Sequence, residues 1–373
     1  MCRLKIQFGF ILRKMTINLK KLNIRGLFSF RWLKNKDFSQ ISPEELKKVT
    51  GWSGIVLLAV FLVFFFEIYI PVNPSSHETL TYTVEKGWGD DEIAKDLQKL
   101  GVIKSNLFFR LYVVTSLKHS SLQAGKYNLS PRMSSYQIAQ KMANGDVIKN
   151  KLVILEGWDL NDVSSYLESK GICAKNEFVS LAQKDYSKDF DFLKDKPGNV
   201  SLEGYIFPDT YEVAEGESCE DVLSLMLSNF GQRLTADLRK EAAEQKKSIF
   251  DIVTMASLIE KEVRNMDDKK VVSGILWKRI DEGMPLQLDC TVNYATGKSD
   301  PAVSIKDTKI DSPYNTYKYY GLPKGPIANP GLGSILSALY PTVTKYWYYL
   351  SDGKTYFSET FEQHTALKAK YLR

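Results

Sequence analysis

The chain is 373 residues long, 44% hydrophobic and 25% charged, with a formal net charge of +6; this is enough for a membrane segment and about two globular domains, and it excludes wholesale disorder. The charge is unevenly placed, since residues 1–51 hold twelve Lys and Arg against three Asp and Glu. The remainder is slightly acidic overall, which excludes a strongly basic nucleic-acid-binding domain beyond the tail.

Residues 1–51 therefore form a basic tail. From Trp52 to Val72 the chain reads WSGIVLLAVFLVFFFEIYIPV, with an uninterrupted apolar run from Ile55 to Phe66. At about 1.5 Å per residue a helix of this length spans roughly the 30 Å hydrocarbon core. Glu67 lies near one end, within reach of the headgroups, and Trp52 and Tyr69 suit the two interfaces. The excess of basic residues on the N-terminal side predicts a single-pass plasma-membrane protein with its N-terminus in the cytoplasm and residues 73–373 outside. A cleavable signal peptide fits less well, because the run begins some fifty residues in and no small-residue cleavage site follows it.

An internal repeat follows. Residues 84–102 (VEKGWGDDEIAKDLQKLGV) and 154–172 (ILEGWDLNDVSSYLESKGI) share Gly87/Gly157, Trp88/Trp158, Leu97/Leu167 and Gly101/Gly171. The pattern predicts a strand, a glycine turn, a helix with one apolar face and a glycine C-cap. Such small βα units, over residues 78–172, resemble LysM-like glycan-binding modules. Trp88 and Trp158 could stack on sugars or serve as core aromatics. Between the copies, 105–116 and 134–143 read as helices, the second closed by Asn144-Gly145.

Four cysteines, Cys2, Cys173, Cys219 and Cys290, lie far apart without CxxC spacing, and three histidines, His77, His119 and His364, accompany them. This argues against a zinc site or a disulfide framework and for buried free thiols. One bridge, for instance between Cys173 and Cys219, stays open for a domain in an oxidising compartment.

From residue 248 the chain reads SIFDIVTMASLIEKEVRN. Ser248 and Asp251 form a variant of the helix capping box, and Ile249, Ile252, Met255, Ala256, Ile259 and Val263 fall on one face. Glu260 and Glu262 then sit near opposite borders of that face, where partial desolvation raises a carboxyl pKa towards that of a general acid. Periodicity does not choose between them. Beyond Gly283-Met284-Pro285, residues Leu286 to Val292 alternate like a strand whose polar members include Gln287 and Asp289. A long segment rich in Pro, Gly, Asn and Tyr, DSPYNTYKYYGLPKGPIANPGLGSI, follows. Rigid turns presenting amides and rings suit a carbohydrate surface.

The segments TMASLIEKE (254–262), GMPLQLDCTVNYA (283–295), SPYNTY (312–317), GLPKGPIANPG (321–331) and ALYPTVTKYWYYLSDGKTYFS (338–358), with LEGYIFPDTYEV (202–213), resemble the endolytic murein transglycosylase (MltG, YceG-like) family. The resemblance covers nearly everything after residue 51. It implies that the second glutamate of the EKE triplet, Glu262, is catalytic, with Glu260 in a supporting role. The family pattern LQ-[TS]-D-[PA]-T keeps Gln287, Asp289 and Thr291 here but is broken at Leu288 and Cys290, departures that bear on the local loop geometry and not on the chemistry.

The activity implied is lytic cleavage of the β-1,4 bond between MurNAc and GlcNAc in nascent glycan strands, leaving 1,6-anhydro-MurNAc ends. One carboxylic acid protonates the leaving oxygen and then takes the proton of the muramic C6 hydroxyl. A hydrolase at the same bond needs a second carboxylate, for which Asp289 is the candidate. A silent wall-binding scaffold is the third reading. Gln287, Asp289, Tyr314, Asn315, Tyr317 and Asn329 are the candidates for binding sugar, each weighed against a role in holding the loop. No cofactor or metal is implied. The partners implied are peptidoglycan strands and peptidoglycan synthases. The expected fold is α+β: a basic tail (1–51), an anchor (52–72), LysM-like βα modules (78–172) and a mixed catalytic domain (173–373).

Overall fold

The computed structural model describes residues 43–116, 122–298, 303–351 and 353–371. The tail up to residue 42 and Cys2 lie outside them. The first element is a helix of 27 residues, α1 (Pro43–Tyr69). Of its side chains, those of Gly51 and 53–69 are described. Among the described residues no helix is long and apolar enough to cross a membrane. Apolar side chains of α1 from Ile55 to Phe66, including Leu57, Phe61 and Leu62, are nevertheless exposed around the helix.

The C-terminal end of α1 docks on a small β–α–α–β–α unit: β1 (Leu80–Val84), α2 (Asp90–Lys99), α3 (Asn106–Ser116), β2 (Gly125–Leu129) and α4 (Ser135–Ala143). Strands β1 and β2 are antiparallel with Leu80 opposite Leu129 and Val84 opposite Gly125. Alternation turns Tyr82, Val84, Tyr127 and Leu129 inward, onto Ile93, Leu97, Phe109 and Ile138. Ile68 of α1 is buried in this core, and Phe64 packs edge-on against Phe108 at 6.1 Å.

The second copy of the repeat opens the larger body with β3 (Lys149–Val153), α5 (Leu160–Ser169) and α6 (Lys175–Leu181). The predicted strand, turn and helix are present in both copies. Gly101 and Gly171 take left-handed φ of 71° and 67°, and the amides after them, Val102 and Ile172, return to the carbonyls of Leu97 and Leu167. The two copies do not share a core, however: Leu160, Val163 and Leu167 pack with residues as distant as Leu339. Trp88 and Trp158 are both partly buried against their own cores.

The larger body continues with β4 (Thr210–Ala214), antiparallel to β3, then α7 (Cys219–Arg233), α8 (Ala236–Glu244), α9 (Ile249–Glu262), α10 (Met266–Asp281), α11 (Asp289–Thr296), α12 (Leu332–Leu339), the hairpin β5 (Tyr348–Ser351) and β6 (Thr355–Ser358), and α13 (Phe361–Tyr371). The two bodies meet at Ile148. Its amide donates to the Lys126 carbonyl at 2.7 Å, its carbonyl accepts from the Glu215 amide at 3.1 Å, and Lys126 Nζ pairs with Glu215 at 2.6 Å.

Two expectations are corrected. Cys173 and Cys219 are bonded to each other as a disulfide, with Cα atoms 5.3 Å apart, so these thiols are not free. Sequence spacing could not reveal this, because the pair is brought together only when α6 packs on α7. Cys290 is a free cysteine. Secondly, Leu286 to Val292 is no strand: it is a short irregular entry that turns into α11 at Asp289. Leu286 and Leu288 are buried at strand spacing, but Thr291 and Val292 are buried at helical spacing, and Gly297 closes the helix with φ 67°. A seven-residue window that straddles the two periods reads as alternation.

Candidate functional site

Helix α9 is the base on which the site is built. Ser248 caps it, accepting from the Asp251 amide at 3.0 Å, while Asp251 accepts back from the Ser248 amide at 3.2 Å. Every residue from Ile252 to Ile259 is buried. Each large apolar side chain so enclosed contributes about 1.5–3 kcal/mol relative to exposure, which makes the helix a fixed rod. It ends at Glu262, because Val263 turns to extended backbone (φ −142°) and Asn265 starts α10 by accepting from the Asp267 amide at 2.9 Å.

Glu260 and Glu262 leave this helix end in different directions. Glu260 is enclosed: Lys269 Nζ meets it at 3.0 Å with both side chains under a tenth exposed. Its other oxygen accepts from the Gly331 amide at 3.0 Å and the Ser334 hydroxyl at 2.7 Å, at the N-terminus of α12. The carboxylate thus caps α12 and neutralises a buried lysine.

Glu262 instead lines a cleft of about 1730 Å³. Tyr349 Oη donates to its Oε2 at 2.9 Å. Burial is the main influence on its proton affinity and raises its pKa; hydrogen bonds from Cys290 and Tyr349 act the other way, Asp289 adds to the rise and Arg279 opposes it. A position at a helix C-terminus also disfavours the anion. The carboxyl is poised to hold a proton above the usual carboxylate range, as a general acid must.

Arg279 supports the opposite wall. Its guanidinium is buried and donates to the Leu286 carbonyl at 2.8 Å and to the Trp347 carbonyl at 2.9 and 2.7 Å. One side chain thereby ties the entry to α11 to the start of the β5–β6 hairpin, the two segments that bring Cys290 and Tyr349 to Glu262.

Of the predicted residues, Gln287, Asp289 and Tyr317 line the same cleft as Glu262. Tyr317 Oη donates to Asp289 Oδ1 at 2.5 Å. Gln287 is exposed and takes φ 56°, a left-handed backbone that costs a non-glycine residue of order 1 kcal/mol. Its amide is held by the Thr316 carbonyl at 3.1 Å, and Thr291 and Thr316 share a 2.9 Å hydroxyl contact beneath it.

Asn315, Asn329 and Tyr314 are placed elsewhere. Asn315 is fully buried and donates to the carbonyls of Thr308 and Ile310. Asn329 is fully buried too, accepting from the Ile206 amide at 2.9 Å and donating to the Trp158 carbonyl at 2.9 Å. Tyr314 packs on Tyr294, ring centroids 4.9 Å apart. These three hold the loop in shape, because its backbone polar groups need partners once it folds inward. Their contacts fit the loop-holding role each was weighed against.

Four residues escaped the sequence reading: Arg279, Tyr349, Cys290 as a carboxyl partner, and Glu203. Glu203 is buried and lines the cleft. Both its oxygens face the Leu160 amide, at 3.1 and 3.0 Å, at the N-terminus of α5, and Tyr294 Oη donates to it at 3.3 Å. Burial pushes its pKa up to about 8 against the pull of these hydrogen bonds. The signal available was its place at the start of LEGYIFPDTYEV, an acid next to the apolar residues Leu202, Tyr205, Ile206 and Phe207. Among the described residues, the cluster of metal-ligand side chains is Cys173, Glu177 and Cys219, and its two sulfurs are bonded to each other.

This arrangement is an α+β body whose central helix brings Glu262 to an open cleft that Glu203 also lines. The family model of the YceG-like family matches residues 82–370, and the chain belongs to that family. An endolytic murein transglycosylase of Bacillus subtilis (strain 168) is 34% identical over 317 residues, covering 81% of this chain and 87% of the relative. One of Streptococcus pneumoniae serotype 2 is 29% identical over 333 residues, covering 81% of this chain and 60% of the relative. The crystal structure of a YceG-like protein from Listeria monocytogenes superposes with a TM-score of 0.55 at 34% identity, covering 79% of this chain and all of that one.

Proposed function

We propose that the chain is an endolytic lytic transglycosylase of peptidoglycan in which Glu262 is the single acid and base. The observation that carries this reading is a carboxyl of raised proton affinity at the edge of a cleft large enough for several sugar rings. Glu262 protonates the glycosidic oxygen between MurNAc and GlcNAc, the bond breaks, and the resulting carboxylate takes the proton of the muramic C6 hydroxyl as that oxygen closes on C1. No water enters the products, and one chain end becomes 1,6-anhydro-MurNAc. Exposed Gln287 and the Tyr317–Asp289 pair contribute polar contacts along the strand.

A hydrolase is the second reading, supported by Asp289, which lines the cleft and could serve as a second carboxylate. The products separate the two. Mass spectrometry of digested glycan strands yields anhydro-muramic ends for the lyase and free reducing ends for the hydrolase. Glu262→Gln abolishes either activity, and soluble fragments released undiminished by that variant would sink the assignment.

The exposed apolar side chains of α1 from Ile55 to Phe66 support its use as a single membrane anchor with the tail inside. The unit from β1 to α4 and the second βα copy supply the LysM-like region, next to the bilayer. Tethered there, the cleft would meet glycan as synthases extrude it. Carbonate extraction of membranes, with and without residues 52–72, tests the anchor: release of the intact chain by alkali speaks against it.

A further inference from the structure

Two side chains from elements remote in sequence converge on Glu262. Tyr349, on β5, donates to Oε2 at 2.9 Å, and Cys290, in the first turn of α11, brings its thiol beside the same carboxyl. Both line the cleft. We propose that Tyr349, assisted by Cys290, is a positioning residue of this site, a donor pair that holds the Glu262 carboxyl in one orientation and stabilises the carboxylate left after it has given up its proton. The proposal rests on the reading of Glu262 as acid and base.

The geometry separates this from simple packing. A hydrogen bond donated to a carboxylate is stronger than the same bond to a neutral acid, so the pair acts differently on the two halves of the reaction. Both groups are donors throughout, because burial and the adjacent Glu262 push the phenol and the thiol well above their ordinary pKa. The other groups that face Glu262 are Asp289 on α11, Tyr317 on the following loop and Arg279 on α10. Burial and Asp289 favour the acid; Arg279, Tyr349 and Cys290 favour the anion. A residue that must give a proton and then take one works best when neither form is strongly preferred. The two donors bring Glu262 towards that balance.

The test is the pH dependence of fragment release from purified peptidoglycan by the full chain. Activity needs protonated Glu262, so it falls as pH rises through the pKa of that group. Tyr349→Phe removes one donor, the acid persists to higher pH, and the alkaline limb moves up by about 1 pH unit, with kcat lowered and KM unchanged. Cys290→Ala shifts the limb in the same direction by less, and Cys290→Ser, which keeps a donor, restores it. A purely structural role lowers the melting temperature and leaves the profile in place. Profiles that superpose on wild type in both Tyr349→Phe and Cys290→Ala, with Glu262→Gln inactive, overturn the proposal. Activity in Glu262→Gln overturns the underlying reading and the proposal with it. Should Tyr349→Phe fail to fold, the cysteine pair alone decides.

Discussion

Glu260 and Glu262 sit two residues apart at the end of one helix, yet Lys269 closes over the first at 3.0 Å while the second opens onto the cleft. The separation of roles follows from helical geometry. Residues two apart point about 200° away from each other, so a helix end wedged between α12 and a cleft must send one acid to each. Glu260 is engaged by the scaffold, and Glu262 faces the cleft.

Glu260→Gln is therefore expected to behave as a stability mutant. It leaves Lys269 buried without its counter-charge, a loss of about 3–5 kcal/mol. Thermal unfolding reads this as a large fall in melting temperature, whereas Glu262→Gln melts within a few degrees of wild type. Equal melting temperatures for the two variants would contradict the assignment of roles.

Glu203 predicts a pH dependence of stability. Its pKa stands at about 8 in the folded chain against the ordinary 4.5. Below the lower value both states are protonated. Between the two the unfolded chain releases the proton and the folded chain keeps it, so stability declines as pH rises and levels off above the folded value. The contribution is on the order of 5 kcal/mol over the window. Glu203→Gln keeps an acceptor for the Leu160 amide and cannot ionise. Urea denaturation through this range should show a slope in the wild type that flattens in the variant, and parallel curves would refute the buried-acid account.

The bond between Cys173 and Cys219 closes a sequence separation of 46 residues. Restricting the unfolded chain over that span stabilises a domain by about 2–4 kcal/mol. Cys173→Ser should lower the urea midpoint accordingly. Mass spectrometry after alkylation without reductant should find neither Cys173 nor Cys219 labelled; labelling of both would contradict the pairing.

Much of this was legible in the chain alone, for reasons that can be stated. The start of α9, with Ser248 and Asp251, and both repeat helices announce themselves through local signals of capping and period, and these survive folding because they are satisfied within a few residues. Contacts set by tertiary placement left no such trace. Nothing local says that Asn315 and Asn329 turn inward, since a polar side chain in a loop serves the backbone or the solvent equally well until the loop is folded. Nothing local marks Arg279 or Tyr349 as neighbours of Glu262 until α10 and the hairpin are seen to meet. Periodicity treats Glu260 and Glu262 alike, and only the folded chain shows Lys269, Ser334 and the amide of Gly331 gathered around the first of them.

The junction at Ile148 gives the molecule its bearing. Two backbone hydrogen bonds and the Lys126–Glu215 pair stitch the small unit to the large one, and the small unit is in turn clamped to α1 through Ile68 and Phe64. A swivel at this point would let the cleft sweep a hemisphere of wall. A stitched joint instead makes the small unit a spacer of set thickness, so that, were α1 to serve as the proposed anchor, the cleft would ride at one height above the bilayer. Glycan would then be cut within a single stratum, and lengthening or shortening that spacer would move the stratum with it.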